Sequence, residues 1–337
     1  MRVVCCCDAG PVAGVGHLMR CLALAEELAA RGTTVRFVAE LGALPFAARR
    51  LAAAGFEWVP PGPDPAGTVL AASPDAVVLD SYLLPVTVGE RLRAAGVPVL
   101  AVVDGDSPVQ PADAYLDQNL GAEHDTGPTP RLAGLRYALQ RTEIRAHRPA
   151  RPRTARAGRP RVLAFFGGTD PFGAAPVVAG ALAGTGVPCD ATVVAATPEV
   201  AGAVTAVPVP DGQRRRVIAP TDDLARLVTA ADLVVAASGT SVWELACLGA
   251  AAALVCVVDN QRVGYSRAVR TGAVAGLGEL AALRRDPAPA TAVLRRLLTD
   301  PAVRTRLHTA AWHLVDGRGA SRVADVLAEL GTARATG

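Results

Sequence analysis

The sequence predicts an α/β protein made of two doubly wound halves, on three observations. The chain has 337 residues, too many for one ordinary core at about 100–200 residues per domain. Short apolar runs alternate with Ala/Leu-rich amphipathic stretches, the pattern of right-handed βαβ units on a parallel sheet. That alternation stops once, between Arg141 and Arg161, and then begins again.

The first half opens with an apolar run, Arg2 to Cys7, read as a strand. A helix follows from Gly16 to Arg31, with Leu18, Met19, Leu22, Ala25 and Leu28 at spacings of three and four. Val35 to Ala39 is a second strand, Pro45 to Ala54 a helix and Ala76 to Leu79 a strand. Glu90 to Ala95 is helical, and Val97 to Val103 is a further strand. The runs do not alternate apolar with polar, as expected of strands covered on both faces. Residues 145–160 carry Arg145, Arg148, Arg151, Arg153, Arg156 and Arg159 among prolines. They read as a solvated, Pro-stiffened linker, with an anion-binding patch as the alternative.

Beyond the linker, Arg161 to Phe166 is a strand, Ala174 to Leu182 a helix and Ala191 to Ala195 a strand. Val217 to Ile218 is strand-like, Asp222 to Thr229 helical and Leu233 to Ala236 a strand. Thr240 to Leu248 is a helix, Ala252 to Val258 a strand, and Ala320 to Leu330 an amphipathic helix after Gly317 and Gly319. The expected organisation is a first domain over 1–144, a linker over 145–160, a second domain over 161–318 and a terminal helix and tail over 319–337. Two such halves are expected to face a central cleft, and ligands of open parallel sheets bind outside the carboxyl ends of the strands.

Composition removes several chemistries. All 34 basic residues are Arg, for the sequence contains no Lys. There is therefore no P-loop lysine, no Schiff-base lysine and no kinase lysine or S-x-x-K pair. A net charge of +3 and 4% aromatic residues give no nucleic-acid signature. Apolar runs are too short for membrane insertion, and the start of the chain leaves no room for a signal h-region, so a cytoplasmic protein is expected. The seven Cys, at 5, 6, 7, 21, 189, 247 and 256, form no C-x-x-C pair and read as buried free thiols.

Chemistry is sought at the strand ends. Asp8-x5-Gly14-Val15-Gly16-His17-x2-Arg20 follows the first strand and opens the first helix. Its glycines let backbone approach a ligand, and its His, beside the positive end of a helix dipole, is expected to stay neutral and to serve as a general base. A dinucleotide-binding reading competes, with Glu40 as ribose partner, but Met19 stands where a third Gly or Ala belongs. Asp80-Ser81-Tyr82 and Asp104-Gly105-Asp106 end two further strands. The Asp-x-Asp reads as a polar turn rather than as a metal site, since no second acidic pair lies nearby in sequence. In the second half, Phe166-Gly167-Gly168-Thr169-Asp170 and Ser238-Gly239-Thr240-Ser241 end strands and offer backbone N–H groups and hydroxyls to a diphosphate. Glu244 lies about one turn into the following helix, placed for ribose hydroxyls, and Asp259-Asn260-Gln261 ends the next strand.

Taken in order, these motifs resemble the PseG/SpsG family of nucleotide-sugar hydrolases of pseudaminic acid biosynthesis. More distantly they resemble the UDP site of MurG-type GT-B glycosyltransferases. Asp117-Gln118-Asn119, Tyr137-Ala138-Leu139 and Trp243-Glu244-Leu245 extend the match over most of the chain. The resemblance implies a GT-B-like fold and no cofactor or metal. It implies a UDP-sugar or other NDP-sugar partner, with a small-molecule acceptor if the reaction is transfer. His17, Tyr82 and Asn260 are implied as catalytic, and Gly168, Ser238, Gly239, Thr240 and Glu244 as holding the nucleotide, while Gly14, Gly16, Thr169 and Ser241 are further nucleotide candidates from the Gly-rich strand ends themselves. Asp8, Arg20, Asp104 and Gln261 are candidates for the sugar side. Cys6, Gly105, Gln140 and Ile144 depart from the family pattern. The implied reaction is inverting attack of water at the anomeric carbon with release of UDP; glycosyl transfer and non-catalytic nucleotide-sugar binding are the alternatives.

Overall fold

The computed structural model describes residues 1–9, 15–42, 45–104, 109–124, 130–168 and 170–335. The chain divides into two compact units, Met1–Thr142 with Gly317–Gly337, and Glu143–Asp316. Among the described residues no helix is long and apolar enough to cross a membrane.

The first unit runs β1 (Arg2–Cys7), α1 (Gly16–Ala30), β2 (Thr34–Val38), α2 (Pro45–Ala53), β3 (Glu57–Val59), α3 (Pro65–Ala71), β4 (Ala76–Asp80), α4 (Thr87–Ala94), β5 (Val99–Val102), β6 (Ala114–Asp117) and β7 (Arg131–Ala133). Its seven-stranded sheet has the order β3-β2-β1-β4-β5-β6-β7, and every pairing is parallel. The winding direction reverses between β1 and β4, where Cys7 pairs with Asp80. Strand alternation divides the core. Val3, Cys5, Val78 and Leu100 pack with Leu18, Leu22 and Leu28 of α1, while Val4, Cys6, Val77 and Leu79 pack with Val69, Val88 and Leu92 on the other face.

Helix α5 (Thr142–Ala146) leads into the second unit. There β8 (Arg161–Phe165), α6 (Ala174–Ala183), β9 (Asp190–Val194), α7 (Pro198–Ala206), β10 (Arg214–Ile218), α8 (Leu224–Ala230), β11 (Leu233–Ala237), α9 (Ser241–Cys247), β12 (Ala252–Cys256), α10 (Arg262–Arg270), β13 (Val274–Glu279), α11 (Leu280–Arg285), α12 (Ala288–Thr299) and α13 (Pro301–Leu314) follow in order. The six-stranded sheet, β10-β9-β8-β11-β12-β13, is again all parallel. Its direction reverses between β8 and β11. Helix α14 (Gly319–Ala335) belongs to the first unit, where Ala320, Val323, Ala324 and Leu327 join the core beside α1. Gly319 makes that docking possible: a Cβ there would lie 2.2 Å from the Ala138 carbonyl oxygen.

The Arg-rich segment is part of the second unit and largely solvent-exposed, as Arg151, Arg156 and Arg159 are, but several of its guanidinium groups are tied to that unit. The Arg148 guanidinium donates to the carbonyls of Cys247, Trp312 and Val315 at 2.5–2.8 Å and stacks 4.5 Å from the Trp312 ring centroid. Arg153 donates to the carbonyls of Thr229 and Ala231, and Arg156 to Asp232 at 3.1 Å. Helix C-terminal carbonyls lack intrahelical partners, so guanidinium forks satisfy them where Lys would supply only a point charge. All seven Cys are free and buried.

Candidate active site

Each winding reversal gathers residues that the sequence had marked. In the first unit, His17, Arg20 and Cys21 share one face of α1, at positions i, i+3 and i+4. Ala76 and Val78 of β4 face α1, so alternation sends the next residue of that set, Asp80, the same way. Its side chain is completely buried. His17 Nδ1 lies 2.6 Å from Asp80 Oδ1. Arg20 donates from Nε to Asp80 Oδ2 and from Nη2 to Oδ1, both at 2.5 Å, and Cys21 Sγ reaches Oδ2 at 3.5 Å.

The same guanidinium forks onto a second carboxylate. Arg20 Nη1 donates to Asp104 Oδ1 at 3.1 Å and Nη2 to Oδ2 at 2.7 Å. Asp104 also accepts from the Tyr82 hydroxyl at 2.6 Å and from Asn119 Nδ2 at 2.7 Å. Asn119 is tied in turn to Asp117, which pairs with Arg131 at 2.6 Å. The Tyr82 ring stands edge-on to His17, with centroids 4.5 Å apart at 89°. Asp8, on the opposite side of the strand, accepts from Ser81 Oγ at 2.5 Å and from the Tyr82 backbone N–H at 2.6 Å. It therefore builds the turn that carries Tyr82.

These contacts set the protonation states. Burial pulls the His17 imidazolium down, but the hydrogen bond and charge of Asp80 outweigh it, and the net shift is upward. The expected downward pull of the helix dipole is thus corrected in direction only: a buried carboxylate at hydrogen-bond distance is a stronger influence than a partial charge at a helix end. Burial opposes ionisation of Asp80 and Asp104, yet Arg20 dominates and holds both below the usual carboxylate range. Burial and Asp104 raise the Tyr82 phenol well above its ordinary value. Arg20 Nη2 also lies 3.0 Å from Nδ1, but ionised Asp80 can only accept, so the 2.6 Å contact favours the tautomer in which Nδ1 donates and Nε2 carries the lone pair, the arrangement of a histidine base with an orienting acid.

The roles of Asp80 and Asn119 are not among those the sequence assigns. A signal was present for Asp80: an acidic residue closing a fully apolar strand, on the face that alternation gives to α1. Gly16 opens α1 beside His17. Gly14, like Gly105 and Asp106, lies outside the described residues.

In the second unit, Gly167 and Gly168 follow β8, and Gly167 has φ +79°. Ser238 and Gly239 follow β11, so both turns stand at the winding reversal. Ser238 is buried, Thr240 exposed and Ser241 begins α9, with Glu244 in its first turn. Asp259–Gln261 forms a 3₁₀ turn after β12 that leaves Asn260 exposed. Gln261 accepts from the Val257 N–H at 3.0 Å, and its Nε2 lies 3.8 Å from where a Gly239 Cβ would be. Thr169 lies outside the described residues. Asp170 caps α6, its carboxylate accepting from the N–H groups of Ala174 and Ala175 at 2.8 and 2.9 Å. Among the described residues no group of three or more His, Cys, Asp or Glu side chains is placed to hold a metal ion.

No model of a known protein family matches the chain. The spore coat polysaccharide biosynthesis protein SpsG of Bacillus subtilis (strain 168) is 30% identical over 117 residues, a stretch that covers 34% of this chain and 33% of that protein. Among solved structures, Acinetobacter baumannii MurG has a TM-score of 0.71 at 18% identity, covering 98% of this chain and 100% of that one. The spinosyn rhamnosyltransferase SpnG complexed with thymidine diphosphate gives 0.66 at 18% identity, covering 97% and 100%. The UDP-GlcNAc 2-epimerase of Neisseria meningitidis bound to UDP-GlcNAc gives 0.64 at 10% identity, covering 98% and 100%. The chain is SpsG-like over about a third of its length, and throughout it has the GT-B fold.

Proposed function

We propose that the chain is a nucleotide-sugar hydrolase that releases UDP from a UDP-linked, amino or deoxy sugar by inverting attack of water at the anomeric carbon. The observation that carries the proposal is the His17–Asp80 pair at the β1/β4 winding reversal, a buried acid fixing a histidine whose other ring nitrogen is left as a base. The similarity to SpsG and the GT-B neighbours holding UDP-GlcNAc or thymidine diphosphate support the substrate class.

In this reading the Gly168 and Ser238-Gly239-Thr240-Ser241 turns hold the diphosphate through backbone N–H groups and hydroxyls, with Glu244 on the ribose. His17 Nε2 takes a proton from water as the water oxygen bonds to the anomeric carbon. The carbon–oxygen bond to the phosphate breaks, and UDP leaves with the bonding electron pair. Asp80 stabilises the imidazolium that forms. General base assistance of this kind contributes roughly 10²–10⁴-fold. Tyr82, edge-on to His17, stands on the sugar and water side.

Glycosyl transfer to an acceptor hydroxyl or amine is the second reading, favoured by the likeness to MurG over nearly the whole chain. The same base would serve it, because water and an acceptor hydroxyl lose a proton in the same way. Incubation with UDP-sugars, with and without acceptors, separates the two. Free sugar plus UDP without acceptor marks the hydrolase, and UDP release only after acceptor is added marks the transferase.

A further inference from the structure

The hydrogen-bond chain around Asp104 has a direction. Its two carboxylate oxygens accept from Arg20 Nη1 and Nη2, from Asn119 Nδ2 and from Tyr82 Oη, at 2.6–3.1 Å. Held ionised by Arg20, Asp104 has no proton to give. The phenol proton of Tyr82 is therefore committed to Asp104, and what the Tyr82 oxygen offers a ligand is its lone pairs. Tyr82 is 44% exposed and lies against His17, so this acceptor stands beside the proposed base. The carboxylates of Asp80 and Asp104 share the Arg20 guanidinium, and a third carboxylate, that of Asp8, accepts from the Tyr82 backbone N–H.

We propose that Asp104 is a specificity-determining residue: by fixing Tyr82 as a hydrogen-bond acceptor in a net-negative setting, it selects sugars that present hydroxyl or amide N–H donors and rejects those that carry a carboxylate. The proposal rests on the nucleotide-sugar reading above and narrows it to neutral or acylamino sugars. An acceptor facing an acceptor leaves two lone pairs opposed, and a ligand carboxylate adds like-charge repulsion in a partly dehydrated site.

UDP-glucose and UDP-glucuronate make the test, since they differ only in a hydroxymethyl group against a carboxylate. Their dissociation constants and that of UDP are measured by calorimetry on the full chain. The wild type is expected to prefer UDP-glucose over UDP-glucuronate by about tenfold or more. Asp104→Asn, which removes the charge and frees the Tyr82 proton, is expected to reduce that ratio to about threefold or less. Tyr82→Phe keeps the charge and loses the acceptor, and is expected to weaken UDP-glucose several-fold relative to UDP, so the proposal stays testable if Asp104→Asn folds poorly. Equal affinity of the wild type for the two sugars, a ratio unmoved by Asp104→Asn, or an unchanged UDP-glucose to UDP ratio in Tyr82→Phe overturns it. Failure to bind UDP itself counts against the nucleotide-sugar reading instead.

Discussion

His17 Nδ1 lies 2.6 Å from Oδ1 of Asp80, a carboxylate with no exposed surface. The two residues are 63 positions apart, and the β1–β4 pairing of Cys7 with Asp80 brings them together. That contact decides the tautomer, the basicity and the electrostatic stabilisation of His17.

Replacing Asp80 with Asn keeps the shape and removes the charge. Turnover is expected to fall by about 10²–10⁴-fold, since the amide neither fixes the tautomer nor stabilises the imidazolium. The acidic limb of the rate profile moves to lower pH in the variant, because Asp80 is what raises the His17 pKa above its ordinary value. A variant with the wild-type limb would show that another group titrates.

The same contact links stability to pH in the opposite sense. A His whose pKa is higher in the folded than in the unfolded protein stabilises the fold fully below the unfolded value, about 6.5, and loses that contribution as pH rises through the folded value. The urea midpoint of the wild type minus that of His17→Gln is therefore expected to be larger at about pH 5 than at about pH 8, while activity rises over the same range. A difference independent of pH would mean that Asp80 does not bias His17.

Arg20 is buried between two carboxylates. Arg20→Met leaves both without their cation and is expected to cost about 3–5 kcal/mol. Arg20→Lys restores the charge but not the fork, and falls between the two. Denaturant unfolding of the three proteins orders them.

Much of the fold was legible in the residues, and the exceptions have physical causes. Gly-x-Gly-His after an apolar run placed α1 and its histidine, and the Gly-Gly and Ser-Gly-Thr turns marked the β8 and β11 ends. Strand β13 escaped because Gly276 and Gly278 interrupt its apolar pattern, and α12 and α13 because Pro289 and Pro301 sit in their first turns, where Pro is tolerated. The pairing of His17 with Asp80 needs the register of two strands distant in sequence. The tethering of the Arg segment to the second unit was not legible because its partners are mostly backbone carbonyls, which no sequence pattern displays.

A Cβ placed on Gly168 would meet no atom within 4 Å, and the backbone there is outside the left-handed region, so Gly168→Val should leave the fold intact. If backbone N–H groups there approach a diphosphate, UDP affinity falls about tenfold or more, roughly 1.4 kcal/mol per decade. An unchanged affinity with an unchanged melting temperature would remove Gly168 from the nucleotide site.

Attack by water with His17 as its base leaves an isotopic record, so the decisive measurement follows a panel of UDP-sugars in ¹⁸O-water. UDP release is expected with the label in the anomeric hydroxyl of the free sugar and none in the phosphate, and His17→Ala is expected to lose about 10²–10⁴-fold of that turnover. Label in the phosphate, or undiminished release by His17→Ala, would refute hydrolysis by this route.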